Sequence, residues 1–327
     1  MELPLDGVLV LDFSQFLAGP VAALRLADLG ARVVKVERPV GGEIGRTLAF
    51  AGRWADEDTM SFHAMNRNKE AVVADLKDPG DLEAVRRLVA RADVLIHNFR
   101  PGVMERLGLD YDAVRALNPG LVYAAASGYG AAGPWATRPG QDLLAQSISG
   151  LTWAHGTGRP TTVGLSLADH LLSCHLAEGV TALLVRKFRT GRGGLIESSL
   201  LESMLDLQST RLTAHLNPGL EEPPNGYLYR TSDGYLATVD ELDESCASET
   251  TAYWVEVLRD RGVDCAPLMT LDELLASAEF AAVEMTQTVE RDGLELRTTR
   301  SPIRIDGEIL RSRRAAPRLG AQGKVGQ

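Results

Sequence analysis

Residues 8–37, VLVLDFSQFLAGPVAALRLADLGARVVKVE, decide the fold. VLVLDF is a near-continuous apolar run, the kind buried on both faces of a parallel sheet. SQFLAGP follows as a turn. Pro20 suits a helix first turn, because its fixed φ matches the helix and its missing N–H would be unpaired there anyway. Val21 to Leu29 reads as a short apolar helix that Gly30 stops. ARVVKVE is a second strand. Strand, helix and strand in so short a span form a βαβ unit, which predicts a parallel sheet with a right-handed crossover.

The same alternation runs outward to about residue 200, without internal repeats. AVVADL (71–76) is a strand. DPGDLEAVRRLVARA (78–92) is an amphipathic helix, with Asp81 as its cap and Leu82, Val85, Leu88 and Val89 inward. DVLIHNF (93–99) and the strand within GLVYAAASGYG (120–130) follow, and LIESSL (195–200) is a short alternating strand. The fold class is therefore α/β: a doubly wound, mainly parallel, Rossmann-like sheet. The first βα turn lacks G-x-G-x-x-G. Glu37-Arg38 closes the second strand, where such folds often meet a ribose or its phosphate; a solvated strand end explains the pair equally well. Asn98-Phe99-Arg100-Pro101-Gly102 leaves a strand at the carboxyl edge, where ligands bind in these sheets.

Composition sets limits. A length of 327 residues is enough for one large or two ordinary domains. The net charge of −10 argues against sequence-independent nucleic-acid binding and against an anionic membrane surface. An anionic ligand then needs a local basic pocket. No apolar run approaches a bilayer span, and MELPLDG runs straight into a strand rather than forming a signal peptide. Cys174, Cys246 and Cys265 are scattered singly, with no metal or disulfide spacing, which fits a reducing cytoplasm. Cys174 reads most simply as a small core residue.

The stretch 164–200 holds the most suggestive single residue. Leu171, Leu172, His175, Leu176, Val180, Leu183 and Leu184 recur at helical steps. Arg186, Lys187 and Arg189 crowd the far end, where cations suit the macrodipole, and Gly191 stops the helix. Asp169 stands at its start. It is either a capping or first-turn acid, or a carboxylate oriented by backbone N–H groups and able to attack an acyl donor. Spacing leaves both open.

Six stretches resemble, in order, the family III CoA-transferases: LDGVLVLDFSQFLAGP, GARVVKVERP, NRNKEAVVADLK, ADVLIHNFRPGVMERLGL, NPGLVYAAASGYG and RTGRGGLIESSLLES. That family includes acyl-CoA racemases and some lyases. The match covers the first ~210 residues and returns in TRSPIRIDG (299–307). It implies that Asp169 attacks a donor acyl-CoA, that CoA thiolate opens the resulting anhydride to an aspartyl-CoA thioester, and that an acceptor carboxylate takes the CoA. No cofactor is held permanently; coenzyme A, as acyl-CoA, is the substrate, with a small carboxylic acid. No nucleic-acid or membrane partner is implied.

The resemblance also places CoA contacts. Leu17 and Ala18 would steady a thioester oxyanion through backbone N–H groups, with leucine where the family often has glutamine. Arg38 would take the ribose phosphate, and Ala74, Asp75, Leu76 and Lys77 would border the adenosine. Asn98, Phe99, Arg100 and Arg106 would line the same channel. Asp142 matches an acid beside the nucleophile, and is otherwise the N-cap of a helix over 142–149. Gln141 stands where the racemases have a catalytic histidine, which favours a transferase over a racemase or lyase; His155 and His170 are the nearest substitutes in sequence. A non-catalytic CoA-binding homologue is the third alternative.

The expected division is a large domain over 1–210, a linker and small α+β domain over 211–295, and a returning segment over 296–327. The hairpin YLYRTSDGYLATVD (227–240) opens the small domain. Only DELDESCASETTAYW then precedes VEVLRDRGVDCAPLMTLDELL, so the small domain reads as shortened relative to the family. Pro224-Asn225-Gly226 is a poor match to the family's glycine-rich closing loop. The resemblance further implies a homodimer of interlocked ring-like subunits.

Overall fold

The computed structural model describes residues 2–48, 52–154, 158–217, 219 and 226–326. Two compact units emerge: Met1–Gln208 with Thr286–Gln327, and Ser209–Met285.

The large unit is built on six parallel strands: β1 (Leu9–Asp12), β2 (Arg32–Glu37), β3 (Glu70–Val73), β4 (Val94–His97), β5 (Val122–Ser127) and β6 (Gly194–Ser199). Their spatial order is β3-β2-β1-β4-β5-β6. The order reverses between β1 and β4, the switch point at which doubly wound sheets bind ligands. Register is set by alternation. Val10, Val33, Val94 and Ile96 face one apolar layer, while Leu11, Val34 and Leu95 face the other. A one-residue slip would exchange the two sets.

The first layer holds helices α1 (Ala18–Asp28) and α4 (Leu167–Thr190); the second holds α2 (Pro79–Val89). A third helix used below, α3, spans Asp142–Ile148. Along α4 the buried residues are Ala168, Leu172, Ser173, Leu176, Val180 and Leu184, at three- and four-residue steps. Cys174 falls on the opposite face and is exposed, so it is not the core residue its apolar context suggests. Gly191 ends α4 with φ +72°, a left-handed cap that costs glycine least. The cap of α2 is Asp78, whose side chain accepts from the Asp81 N–H; Asp81 is a first-turn acid paired with Lys324 at 2.7 Å.

The returning segment shields an edge. Gln322 and Val325 donate backbone N–H groups to Ala71 and Val73 of β3, at 3.0 Å each, and Val325 is buried in the second layer. An edge strand that would otherwise offer bare N–H and C=O groups is thereby covered.

The small unit is α+β. Strands Tyr227–Arg230, Tyr235–Thr238 and Cys265–Pro267 form an antiparallel sheet, and the first two make the expected hairpin. Helix Thr251–Asp260 packs Trp254 and Leu258 against Leu236 and Cys246. Asp233 in the hairpin turn accepts from Thr251 N (2.8 Å) and Thr251 Oγ1 (2.9 Å), which ties the turn to that helix. Among the described residues no helix is long and apolar enough to cross a membrane. His155 and Pro224-Asn225 lie outside the described residues.

Candidate active site

The site grows from the turn between β1 and α1, at the switch point. β1 ends in Asp12, an acid inside an apolar strand. It is fully buried and can stay charged only if it is matched. Lys69 Nζ lies 2.8 Å from Asp12 Oδ2 and also donates to Pro20 O and Asn66 Oδ1, both at 2.8 Å. Lys35 Nζ lies 3.6 Å from the same carboxylate. Burial alone would raise Asp12, but the two ammonium groups hold it well below the usual carboxylate range. Burial pulls Lys69 down to about 8.

These charges grip the chain that follows. Lys35 Nζ donates to Ser14 O at 2.9 Å. Asn98, leaving β4, accepts from Gln15 N (2.8 Å) and donates to Gln15 O (2.6 Å). Glu43 Oε2 accepts from Phe16 N at 3.1 Å. Phe16 sits at φ +65°, a left-handed conformation that strains a bulky residue and persists only when its surroundings enforce it. Gly19 is required one turn on, because a Cβ there would overlap Ser14.

The held turn sets the start of α1 with Leu17 as its N-cap. The Ala18 N–H, first of the helix, faces the carboxylate of Asp169 and favours its charged form. Asp169 therefore lies half-buried in the first turn of α4 and at the positive end of a second helix. It is not a cap. Ser166 is the N-cap of α4 and makes no side-chain capping bond. Asp142 fills that vacancy: its Oδ1 accepts from the Asp169 N–H at 3.0 Å. Burial, and next the negative charge of Asp142, raise Asp169 to about 7, against the Ala18 hydrogen bond that lowers it.

Asp142 is the first residue of α3, and the N-cap of that helix is Gln141, exposed and without a side-chain cap bond. Gln146, one turn on and buried, donates to Asp142 Oδ2 and to Leu165 O, so Asp142 is oriented from both sides. The loop leading to it is pinched at its base. A Cβ on Gly128 would lie 2.5 Å from Gly140 Cα, so the two backbones meet where neither residue has a side chain.

The other sequence-predicted positions follow the carboxyl edge of the sheet. Arg38 leaves β2, Ala74 and Lys77 follow β3, and Phe99, Arg100 and Arg106 follow β4. Ala74 is buried. Phe99 is partly buried, stacks on His97 and donates its N–H to His97 Nδ1 at 3.3 Å. Arg38, Lys77, Arg100 and Arg106 are exposed, and among the described residues none is in an ion pair. By contrast Arg46, Arg67 and Arg291 are buried in ion pairs. Arg38 Nε donates to Gly42 O, which leaves its charge without a carboxylate. Cations outside ion pairs on one edge of an acidic protein are suited to phosphates. Asn98 differs from them, since both polar atoms of its side chain are taken up by Gln15. Glu37, read as one of two charges open to a ribose, is buried and bound to Arg46 at 2.7 Å.

Sequence reasoning missed Glu43, Lys35 and Gln146. The available signal was a charge inside an apolar strand, Asp12 in VLVLDF and Lys35 in RVVKVE, which requires a buried partner from elsewhere.

Comparison with known proteins follows the same outline. The family model described as CoA-transferase family III matches residues 5–239 and 236–323. Acetyl-CoA:oxalate CoA-transferase of Acetobacter aceti is 30% identical over 372 residues, spanning 98% of this chain and 94% of that protein. The alignment is longer than the chain, so that relative carries stretches with no counterpart here. Succinate–glutarate CoA-transferase of Agrobacterium fabrum is 31% identical over 373 residues, spanning 97% and 93%. The crystal structure of Rv3272 from M. tuberculosis superposes with a TM-score of 0.85 at 30% identity, over 98% of each chain.

Proposed function

This chain belongs to CoA-transferase family III, and from that premise we propose that it transfers CoA from an acyl-CoA donor to a carboxylic acid through an aspartyl-CoA thioester on Asp169. An Asp169 oxygen attacks the thioester carbonyl, the C–S bond breaks, and CoA thiolate leaves behind an acyl-aspartyl anhydride. The thiolate then attacks the aspartyl carbonyl and expels the donor acid as its carboxylate. The acceptor carboxylate attacks the aspartyl thioester in turn, and the returning thiolate opens the second anhydride to release acceptor-CoA and the free Asp169. Every bond broken is replaced by one of similar activation, so no ATP is needed.

The observation that carries the reading is the setting of Asp169. A carboxylate raised to about 7 by burial and a like charge is poorly stabilised once ionised, and so more nucleophilic than one in water. The Leu17 and Ala18 amides at the start of α1 offer donors to an oxyanion formed beside it. Arg38, Lys77, Arg100 and Arg106 would take the phosphates, with Ala74 and Phe99 as apolar walls. Asp142 holds and charges the nucleophile. Gln141 in place of a histidine supports transfer over racemisation, because an amide cannot serve as the second base that exchange of an α-proton needs beside Asp169. The closing domain and the cover for the apolar residues on Leu271–Ala276 and Ala278–Val283, which bury none of their residues, would come from a second copy in a homodimer in the cytoplasm.

Native mass spectrometry after incubation with a panel of acyl-CoA donors tests the whole reading. A dimer is expected, with a CoA-sized covalent adduct that maps to an Asp169 peptide and is absent from Asp169→Ala. Acceptor-CoA formation should fall at least about 10⁴-fold in that variant. A monomer refutes the dimer; an adduct that survives Asp169→Ala refutes the nucleophile.

A further inference from the structure

We propose that Glu43 and Lys35 are positioning residues for the chemistry at Asp169, acting by clamping the turn 14–16 so that α1 begins with its amide facing the carboxylate. The inference rests on Asp169 as nucleophile and goes beyond it, to groups that never meet substrate.

Their side chains are 3% and 0% exposed, so neither can touch a ligand. Each holds one end of the same strained turn: Lys35 the Ser14 carbonyl, Glu43 the Phe16 N–H. Asn98 holds the middle residue at both its polar groups. Three consecutive residues are thus fixed by side chains from three separate segments. A left-handed phenylalanine is strained and would relax if released. Relaxation at Phe16 rotates the peptide units of Leu17 and Ala18, the two that begin α1 beside Asp169.

The chemistry of Glu43 explains why a carboxylate is needed. Oε2 accepts from Phe16 N and Gly45 N, while Oε1 has no hydrogen bond and lies 3.7 Å from Lys35 Nζ. Both oxygens therefore face donors or positive charge. An amide has one acceptor oxygen and an NH₂ group that only donates, so glutamine satisfies Phe16 or Lys35 but not both. Glu43 is itself held by Glu37, which accepts its N–H at 3.0 Å and is fixed by Arg46. The charge that faces Asp169 directly is Asp142 on α3; α1 presents only the Ala18 N–H.

The test must separate positioning from plain stability. Removing one partner of a buried ion pair strands a charge, whereas replacing both with apolar groups is often neutral. Lys35→Met combined with Glu43→Leu removes both clamps and strands neither of the two charges, while Asp12 loses Lys35 and keeps the closer Lys69. Glu43→Gln alone keeps the shape and serves if the double variant fails to fold. Three readouts are compared with wild type: the melting temperature, kcat and KM for the acyl-CoA donor, and the titration of Asp169 by NMR of ¹³C-carboxyl-labelled aspartate, assigned with Asp169→Asn.

The double variant should stay folded but melt lower, since Ser14 O, Phe16 N–H and Gly45 N–H lose partners and Asp12 keeps only Lys69. Well below that melt kcat should fall about 10²-fold, the usual cost of losing one oxyanion-hole donor. KM should stay within about threefold, as for an interaction made in the transition state. The Asp169 midpoint should move upward from about 7, because its hydrogen bond from Ala18 is lost. Glu43→Gln should move kcat and the midpoint in the same directions by less. An unmoved midpoint, or a kcat close to wild type once stability is restored, overturns the clamp. Wild-type protein that transfers no CoA would instead refute the proposed activity, and the carboxyl titration would still decide the clamp.

Discussion

The two units spend their buried volume on different things. Near the carboxyl edge of the large sheet, Asp12, Lys35 and Lys69 are wholly buried, and Arg46, Glu37 and Asp58 extend the ion pairs to Arg291, in the strand Thr286–Arg291 of the same unit. In the small unit the apolar centre is Leu236, Cys246, Trp254 and Leu258, and three of its helices, Ser209–Leu216, Leu271–Ala276 and Ala278–Val283, bury none of their residues. Buried charge is a poor way to gain stability but an exacting way to fix geometry. The large unit has apolar layers on both faces of its sheet and can spare the volume. The small unit has no such surplus, and that fits a part whose surface is meant to be covered.

The strongest challenge to this contrast is Lys69→Met. It leaves Asp12 facing only the more distant Lys35, and strips Pro20 O and Asn66 Oδ1 of their donor. A loss of about 4 kcal/mol is expected in urea unfolding of the large unit. A loss under about 1 kcal/mol would show the buried charges to be incidental. Trp254→Ala attacks the other side. About 3 kcal/mol should be lost, confined to the small unit. Hydrogen exchange should quicken over 227–267 while the strands β1 to β5 keep their protection; a uniform increase would deny the units their independence.

A gentler test sharpens the comparison at Asp169, a half-buried carboxylate that no cation neutralises among the described residues. Asp169 titrates near 7 in the folded chain and near 3.8 when unfolded. Below both values it is protonated in either state. Between them the unfolded chain ionises first, so stability falls as pH rises, and above 7 the full cost remains. Asparagine carries no such cost. Asp169→Asn should therefore stabilise the protein by on the order of 2 kcal/mol at pH 8, after allowance for solvent screening, and the gain should vanish near pH 4. Paired thermal melts at the two pH values check it. A pH-independent gain would remove the raised carboxylate from the account.

Much of the fold was readable because its cause is local. Apolar strands of four to six residues, a glycine after α1 and α4 and leucines at helical steps each leave a mark in the sequence, and β1 to β6 appear where those marks stand. The position of Asp169 on its helix was equally plain. Its surroundings were not. The partner that fills the vacant cap of α4 is Asp142, 27 residues away, and the donor to its carboxylate is a main-chain N–H on α1. Neither obeys a spacing rule. Lys35 in RVVKVE looks like a solvent-facing residue of a strand, and only the arrival of Asp12 and Glu43 from other segments puts it at the centre of the unit. Phe16 gives no warning, since left-handed backbone ordinarily announces itself as glycine or asparagine.

Gly128 and Gly140 meet backbone to backbone, and everything between them hangs outside that junction. A noose drawn this tight isolates what it encloses. Residues 129–139 can be exchanged, lengthened or re-aimed by mutation, and the displacement stops at the knot rather than reaching Asp142. Sequence change thus has a place to accumulate away from the Asp142–Asp169 pair, and the two residues that secure this are the two that have no side chain to vary.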